Sequence, residues 1–274
     1  MTDEISHYPR RVVSLQPSVT AIIAEIGELE KLVACTKYCL DIYPQLKDST
    51  RLIVADSWTV GSEEIMAASP DLVIASVPYQ ENAVVEILKA GVSFLGLAPH
   101  SLADIYRDIA SIAGVLGAAR RGDLVIENMQ AGIREVREKV AGRRRPKVYC
   151  EEWGKPLIAS QEWVAELVEA AGGEFVGTPG ANTTAEDVQR ADPEVIIASW
   201  CGAGDRVPLE KIVAKRSWEN LRAVAKQNVF CIRDEYLNTP APTLLHGLRA
   251  LAGVIQPEVF AFAPGARRMS AIAK

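Results

Sequence analysis

The chain has 274 residues and a formal net charge of −5, and 49% of its residues are hydrophobic and 24% charged. This composition is typical of a soluble globular protein that is large enough for two domains of about 100–150 residues each. The acidic balance argues against nucleic acid or an anionic membrane as partner, and no apolar run approaches the ~20 residues that a membrane-spanning helix needs.

The N-terminal residues 1–11 are polar and lack the apolar core of a secretory signal peptide. We therefore expect a cytoplasmic protein, or a periplasmic or cell-surface protein if a signal sequence has been removed. The chain contains five cysteines and no CxxC pair. An odd number of cysteines favours a reducing compartment over a disulfide framework.

The first half of the chain alternates predicted strands and helices. RRVVSL (10–15) predicts a strand, and SVTAIIAEIG (18–27) predicts a helix with a glycine cap. EEIMAASPDLVIAS (63–76) predicts a short helix, a turn and a continuously apolar strand, and GVSFLGL (91–97) predicts another strand. A strand without polar alternation is buried on both faces, which indicates a parallel sheet covered by helices.

A long helix is predicted between the two halves, from Arg120 to Gly142. It lacks proline and has one apolar face with a spacing of three or four residues, formed by Val125, Met129, Ile133, Val136 and Val140. Its length of roughly 33 Å at 1.5 Å per residue is sufficient to join two lobes. The alternative is a peripheral helix of a single lobe.

The second half repeats the first. PKVYCE (146–151) predicts a strand, EWVAELVEAAGG (162–173) a helix, and QNVFCI (227–232) a late strand. When Pro193 is aligned with Pro70, EDVQRADPEVIIAS matches EEIMAASPDLVIAS. The repeat predicts two three-layer α/β lobes with parallel sheets: an N-terminal lobe at 1–117, a linking helix at 118–145 and a C-terminal lobe at 146–274.

Two such lobes are expected to bind a ligand in the crevice outside the carboxyl ends of their strands. Aromatic side chains in these loops would hold a large flat ligand, and a few polar groups would orient it. Alternatively, each tryptophan packs a loop onto its own lobe, and Trp163 and Trp218 are interpreted as core residues. The candidate ligand-binding residues are Pro17, Ser18, Tyr38, Cys39, Asp41, Trp58, Tyr79, His100, Glu152, Trp153, Trp200, Cys201 and Tyr236.

Several of these residues have alternative roles. Ser18 is also a candidate cap for the helix that follows the first strand. Cys39, Cys201 and His100 are candidate metal ligands, because thiolates and an imidazole suit a soft or borderline metal. Their spacing matches no zinc motif, and a buried cysteine is also a small hydrophobic residue. No nucleophile elbow, P-loop or dinucleotide fingerprint occurs, so we predict no enzymatic activity.

Segments from about residue 10 to 260 resemble the cobalamin and ferric-siderophore class of ABC-transporter substrate-binding proteins, and are most similar to its cobalamin-binding branch. The resemblance is carried by RRVVSLQPSVTAIIAEIG, KYCLDIYP, EEIMAASPDLVIAS, EEWGKPLIASQEWVAELVEAAGG and PTLLHGLRALAGVIQPE. It implies two Rossmann-like lobes joined by one long helix, as in class III periplasmic binding proteins. It also implies a corrinoid or another metal chelate as a transported ligand, and no catalytic cofactor.

The resemblance further implies that Glu63 and Glu186 contact arginines of an ABC permease. The alternative role of these two glutamates is to stabilise the N-termini of their helices. The protein is expected to be a monomer.

Three functions remain open at this point. The leading hypothesis is a non-enzymatic protein that carries a corrinoid for uptake or within the cell, with haem or a ferric siderophore as the alternative ligand. The second is a metal-binding enzyme or sensor that uses the cysteine and histidine residues of the crevice. The third is a degenerate pair of lobes that serves only as a protein-interaction module.

Overall fold

The computed structural model describes residues 7–48, 50–77 and 80–270. The chain separates into two compact units, and the division falls after Asn128, inside a long helix. The short segment His100–Leu102 groups with the second unit. The predicted three-part division, with boundaries at 117/118 and 145/146, stays a prediction.

The first unit is built on a parallel sheet. Its strands are β1 (Val12–Ser14), β2 (Leu32–Thr36), β3 (Leu52–Val54), β4 (Leu72–Ser76) and β5 (Ser93–Leu97). Its helices are α1 (Pro17–Glu25), α2 (Cys39–Ile42), α3 (Ser62–Met66), α4 (Glu81–Lys89) and α5 (Leu102–Val115). The described strands pair in the order β3-β2-β1-β4-β5, which reverses direction between β1 and β4, as in a doubly wound fold.

The long helix α6 (Ala119–Lys139) begins in the first unit and ends in the second. Its predicted apolar face is confirmed: Met129, Ile133 and Val136 are buried and Val125 is half-buried, while Val140 is buried just beyond the last turn. The helix ends a few residues before Gly142, which adopts a φ of 74°. That left-handed conformation suits glycine and terminates the helix.

The second unit has a mixed sheet. Its strands are β6 (Lys147–Gly154), β7 (Leu157–Ala159), β8 (Glu174–Phe175), β9 (Asn182–Thr183), β10 (Val195–Ala198), β11 (Val229–Ile232) and β12 (Ala266–Arg268). Its helices are α7 (Glu162–Ala170), α8 (Ala185–Ala191), α9 (Leu209–Lys215), α10 (Arg222–Ala225), α11 (Asp234–Leu237) and α12 (Leu244–Ile255).

The expected α/β fold class is confirmed, and the second sheet departs from it only at its edges. β6, β10 and β11 pair in parallel, as the repeat predicts. β7, β9 and β12 pair antiparallel. β7 follows β6 through the short turn at Lys155-Pro156, and two strands joined so closely can only run antiparallel.

The repeated Pro-acid phrase forms the same structure in both units. Ser69 and Asp192, which precede the two prolines, have φ values of 47° and 44°. Both strands that follow are buried along their whole length, because helices cover both faces of the sheet. The acid after each proline then contacts the first strand of its unit.

This contact is a reciprocal pair of hydrogen bonds. Asp71 donates its N–H to the Arg11 carbonyl (3.0 Å), and its Oδ1 accepts the Arg11 N–H (3.0 Å). Glu194 donates its N–H to the Lys147 carbonyl (2.8 Å), and its Oε1 accepts the Lys147 N–H (3.4 Å). Each acid therefore sets the register between the two central strands at their starting ends.

The core of the second unit contains the largest fully buried side chain. Trp218 is 0% exposed, and its ring meets Tyr149 edge-on at 6.2 Å between centroids. Its indole N–H donates to the Ala185 carbonyl (3.2 Å), so burial leaves no unpaired donor. Trp163 is 7% exposed, which confirms both tryptophans as core residues, although Trp218 lies in the loop after α9 and not in a helix.

None of the helices among the described residues combines the length and the apolar character needed to cross a bilayer.

We predict that Asp71→Ala lowers the free energy of unfolding by about 1–2 kcal/mol, because the backbone N–H groups of Arg10 and Arg11 both donate to its carboxylate and lose their acceptor. Chemical denaturation measures this change. The control is Asp123→Ala, which removes an exposed carboxylate from α6 and is expected to change stability by less than about 0.5 kcal/mol. Equal effects of the two substitutions would contradict the proposed role of the Asp71 carboxylate.

Candidate functional site

In the first unit, Gln16 links the loops at the point where the strand order reverses. It follows β1, and its Nε2 donates to Ser57 Oγ (2.7 Å) and to the Ser76 carbonyl (3.2 Å). Ser57 follows β3 and Ser76 ends β4. One side chain therefore joins three strand ends, at the edge where open α/β sheets bind ligands.

Pro17 and Ser18 both belong to helix α1. Pro17 is its first residue, a position that requires no N–H from proline. The prediction that Ser18 caps the helix is wrong: Gln16 is the capping residue, and Ser18 is buried inside the first turn with no side-chain capping bond. The proline advances the helix start by one residue and leaves the serine within it.

An aromatic pair lies close to this edge. The Tyr38 and Trp58 rings are 6.4 Å apart between centroids with a 34° interplanar angle, and Trp58 is 47% exposed. The Lys37 Nζ lies 5.0 Å from the Tyr38 centroid and 3.8 Å from Asp56 Oδ2. The pair presents a flat, solvent-accessible surface with one charged side chain of each sign beside it.

Cys39 lies in the interior and not on this surface. Its residue is 0% exposed, and its sulfur lies 3.1 Å from Thr20 Oγ1 and 3.4 Å from Thr36 Oγ1. Burial raises the pKa of the Cys39 thiol, but hydrogen bonds from Cys35, Thr20 and Thr36 outweigh it and bring that pKa below its ordinary value. Asp41 is exposed two residues further along α2.

Two other candidates of the first half follow β4 and β5. Tyr79 lies outside the described residues. His100 is exposed three residues after the end of β5. Among the residues that the structure describes, no three His, Cys, Asp or Glu side chains form a group that could hold a metal ion. The assignment of Cys39, Cys201 and His100 as metal ligands stays a prediction.

In the second unit, β6 sends alternate side chains to opposite faces of the sheet. Glu152 points to one face, where its Oε2 accepts a hydrogen bond from Gln161 Nε2 (2.8 Å) and its Oε1 lies 3.9 Å from Cys201 Sγ. Asn238 Nδ2 donates to the Cys201 sulfur (3.3 Å) and to the Ser199 carbonyl (2.7 Å). We call Glu152, Gln161, Cys201 and Asn238 the amide–thiol cluster.

The loop that carries Cys201 is held by Asp234. Its two carboxylate oxygens accept the N–H groups of Gly202 (2.7 Å) and Gly204 (2.6 Å). Burial is the main cause that raises the pKa values of both Glu152 and Asp234. The edge of the second sheet therefore has two partly desolvated carboxyl groups.

Polar atoms near the amide–thiol cluster have unused hydrogen-bonding capacity. Ser160 Oγ, Ser199 Oγ and Asn238 Oδ1 are buried and have no hydrogen-bond partner within the described chain. An unpaired buried polar atom is destabilising by about 1–3 kcal/mol. A polar ligand group that reached them would recover part of that energy.

The other face of β6 holds a buried ion pair. Arg216 donates to both oxygens of Glu151, at 2.6 and 2.9 Å, and the two side chains are 10% and 1% exposed. Trp200 Nε1 donates to Glu151 Oε1 (2.8 Å), and Tyr149 Oη donates to Oε2 (3.2 Å). Glu151, which the sequence analysis did not single out, is thus the acceptor for three neighbouring side chains.

The structure therefore divides the candidate residues of the second half into two groups. Glu152 and Cys201 come together on one face, whereas Trp153 and Trp200 lie on the face of Glu151 and Arg216. The alternation of side chains along a strand could have indicated this division, since Glu152 and Trp153 are adjacent. Tyr236 lies in α11, half-buried, with its ring 5.3 Å from that of His246.

Glu63 and Glu186 occupy equivalent places in the repeat. Each is exposed in the first turn of its helix, α3 or α8. Their neighbours are engaged: Glu64 accepts the Ala55 N–H (2.8 Å), and Asp187 pairs with Arg190 (2.7 Å). Neither Glu63 nor Glu186 has a hydrogen-bond or ion-pair partner among the described residues.

Comparison with known proteins gives a consistent picture. The family model described as periplasmic binding protein matches residues 12–236. An uncharacterized ABC transporter substrate-binding lipoprotein of Bacillus subtilis is 23% identical over 269 residues, which covers 93% of this chain and 83% of that protein. A cobalamin-binding protein of Halobacterium salinarum is 23% identical over 255 residues, 89% of this chain and 69% of that protein.

The fold is also that of a solved structure, a periplasmic heme-binding protein from Pseudomonas aeruginosa. The TM-score is 0.86, with 17% identity, and the match covers 97% of this chain and 100% of the other.

We predict that Glu151→Ala lowers the free energy of unfolding by about 3–5 kcal/mol, because it leaves the Arg216 guanidinium buried without its partner. The double variant Glu151→Leu with Arg216→Met is expected to be more stable than Glu151→Ala, since it buries no unpaired charge. Chemical denaturation compares the variants, with Glu219→Ala as the exposed control. A double variant less stable than Glu151→Ala would contradict this account.

Cys201 is the one exposed cysteine among the described residues, and we predict that it reacts unusually slowly with thiol reagents. Although the residue as a whole is exposed, desolvation of its sulfur and the negative charges of Glu152 and Asp234 raise the pKa of the thiol to about 12. The thiolate is the reactive form, so the rate should rise roughly tenfold per pH unit from about pH 7 to about pH 10 without a plateau. Ellman's reagent measures the rate.

The control for this measurement is Cys201→Ser, which removes the reacting thiol. Glu152→Gln should speed the reaction at every pH, because it removes one charge that raises the pKa. A plateau near pH 9 would show a thiol with an ordinary pKa and would contradict the prediction.

Proposed function

The chain belongs to the periplasmic binding protein family, and from this premise we propose that it is the substrate-binding protein of an ABC transporter and that its ligand is a corrinoid. The family consists of transport proteins that bind substrates and not of enzymes. The observation that carries the ligand assignment is the pair of different edges: flat aromatic rings at the first sheet and hydrogen-bonding groups at the second.

The first unit suits the broad face of a large planar ligand. Trp58 is nearly half exposed, and Tyr38 lies beside it. Aromatic rings bind planar macrocycles through stacking and apolar contact. Gln16 supports this surface, because it connects the loop of Trp58 to the ends of β1 and β4.

The second unit suits the polar rim of such a ligand. A corrin ring carries amide side chains around its edge, which both donate and accept hydrogen bonds. The amide–thiol cluster offers both kinds of group, and beside it the buried Ser199 Oγ and Asn238 Oδ1 have no hydrogen-bond partner among the described residues. The relative from Halobacterium salinarum, described as cobalamin-binding, supports the same ligand class.

Haem is the alternative ligand, since the Pseudomonas aeruginosa protein of the same fold is described as heme-binding. Haem has two carboxylates where a corrin has amides. At the second edge the carboxyl oxygens of Glu152 and Asp234 accept hydrogen bonds from N–H groups of this chain. Corrin amides can donate to such oxygens, whereas ionised haem propionates can only accept, so this edge favours the corrinoid.

We also propose that Glu63 and Glu186 bind arginines of the permease. Both carboxylates are exposed and unpaired, while the acids next to them are already engaged within the chain. Equivalent positions in the repeat would give the permease one carboxylate from each unit. Exposed ion pairs contribute little singly, so the two would act together to orient the complex.

The proposal is tested by titration of the purified protein with cobalamin and with haem, followed by absorbance and calorimetry. We expect saturable one-to-one binding of cobalamin, and binding weaker by about tenfold or more for Trp58→Leu, because stacking on the indole is lost. Phe262→Leu is the matched control, since Phe262 is 49% exposed in the second unit. No binding of cobalamin would refute the proposal, and tighter binding of haem would favour the alternative.

The permease contact has its own test. A charge-reversal pair, Glu63→Arg with Glu186→Arg, should leave cobalamin affinity unchanged and abolish stimulation of the reconstituted transporter's ATPase activity. The pair Glu81→Arg with Glu219→Arg, at two other exposed glutamates, makes the same change of charge and is expected to keep that stimulation. Full stimulation by the first pair would refute the contact.

A further inference from the structure

A cavity in the second unit lies on the face of β6 that points away from the amide–thiol cluster. Its volume is about 570 Å³, within the range of small-molecule sites. It lies between the end of β6, the Trp200 loop and helix α9. We call it the tryptophan–lysine pocket, and it is lined by Trp153, Gly154, Lys155, Trp200, Pro208, Lys211, Ile212, Lys215 and Arg216.

The two indole rings of the pocket are held in place by their own hydrogen bonds. Trp200 Nε1 donates to Glu151 Oε1 (2.8 Å), and Trp153 Nε1 donates to the Lys155 carbonyl (2.9 Å). The Trp200 ring lies against the backbone of Gly154, where any β-carbon would collide with it. Because the polar edges are already bonded, the rings present their apolar surfaces to the cavity.

The charge of the pocket is strongly positive in a chain whose net charge is −5. Lys211 and Lys215 lie one helical turn apart on α9, and Lys155 lies at the turn after β6. Within the described residues none of these three lysines has an acidic partner. The described residues that line the cavity include no carboxylate, and Glu210 of α9 instead accepts a hydrogen bond from the Ser270 N–H (3.0 Å).

Arg216 adds no net charge to the pocket, since it forms an ion pair with the buried Glu151. Its side chain is part of the pocket wall. The lysines thus remain as the groups that would meet a ligand, with Pro208 and Ile212 as apolar surface between them. Such a combination suits a ligand that has both a flat ring system and a negative charge.

We propose that the tryptophan–lysine pocket is a second binding site, distinct from the corrinoid site, and that it binds a small aromatic anion: a ring system that carries a carboxylate or a phosphate. The ring stacks against Trp153 and Trp200, and the anionic group contacts Lys211 and Lys215. The site does not depend on the identity of the transported ligand, because it lies on the opposite face of β6.

Calorimetry with three probes tests the proposal on the full chain. Naphthalene-2-carboxylate and adenosine 5′-monophosphate represent the two anionic groups, and naphthalene-2-carboxamide is the neutral counterpart. We expect at least one anion to bind, and the carboxamide to bind more weakly than the carboxylate by on the order of tenfold. No heat with either anion at millimolar concentration, or equal affinity for carboxylate and carboxamide, would overturn the proposal.

Matched double variants separate a specific site from general attraction. Lys211→Gln with Lys215→Gln should weaken anion binding by on the order of tenfold or more. Lys47→Gln with Lys226→Gln removes the same charge from exposed positions outside the pocket and should leave the affinity unchanged. Equal losses in the two variants would overturn the site.

Titration with cobalamin distinguishes failure of the second site from failure of the proposed function. The Lys211→Gln and Lys215→Gln double variant should bind cobalamin as the wild-type protein does, and bound cobalamin should not displace the aromatic anion. Competition between the two ligands would show a single shared site and would overturn the proposal of a second one.

Discussion

The reciprocal hydrogen bonds between the post-proline acid and the first strand set the frame of each unit. Asp71 and Arg11, like Glu194 and Lys147, exchange an N–H and a carboxylate where two central strands begin. A parallel strand that slips by one residue turns every side chain to the other face. Hydrogen bonds that fix the register at the start of the two central strands therefore determine which side chains lie at their carboxyl ends, the edge where open α/β sheets bind ligands.

The effect of register is clearest on β6, where pairing with β10 and the alternation of side chains decide which face each residue occupies. Val148 pairs with Val195, and the pairing of β6 with β7 is irregular between Glu151 and Trp153. Glu152 then meets Cys201 and Gln161, whereas Glu151 holds Arg216 and Trp200. One register thus produces two chemically different surfaces: a polar, partly desolvated cluster and a cationic, aromatic pocket. A slip of one residue would exchange them and bury Glu152 beneath α9.

The two units share the same central structure and differ in the loops that follow their strands. Both units use a left-handed residue before proline and a fully buried central strand. Beyond the strands, the first unit has an aromatic pair and a glutamine that joins three strand ends, and the second has amides, a thiol and carboxyl groups. Taken separately, the first edge suits the apolar face of a ligand and the second suits polar groups of a ligand. Glu63 and Glu186 are exposed at equivalent positions of the two units, and we propose them as the contacts with the permease.

The repeat, the continuous apolar strands and the spacing along residues 120–142 were sufficient to predict the two α/β units and helix α6, since these patterns report burial directly. The sequence also placed Trp163 and Trp218 in the core. It did not predict the antiparallel β7, β9 and β12, the place of Ser18 inside α1 or the role of Glu151. Strand pairing, helix starts and ion pairs depend on partners distant in the chain, such as Arg216. For the same reason, only the tertiary structure could show that Cys39 is buried between Thr20 and Thr36.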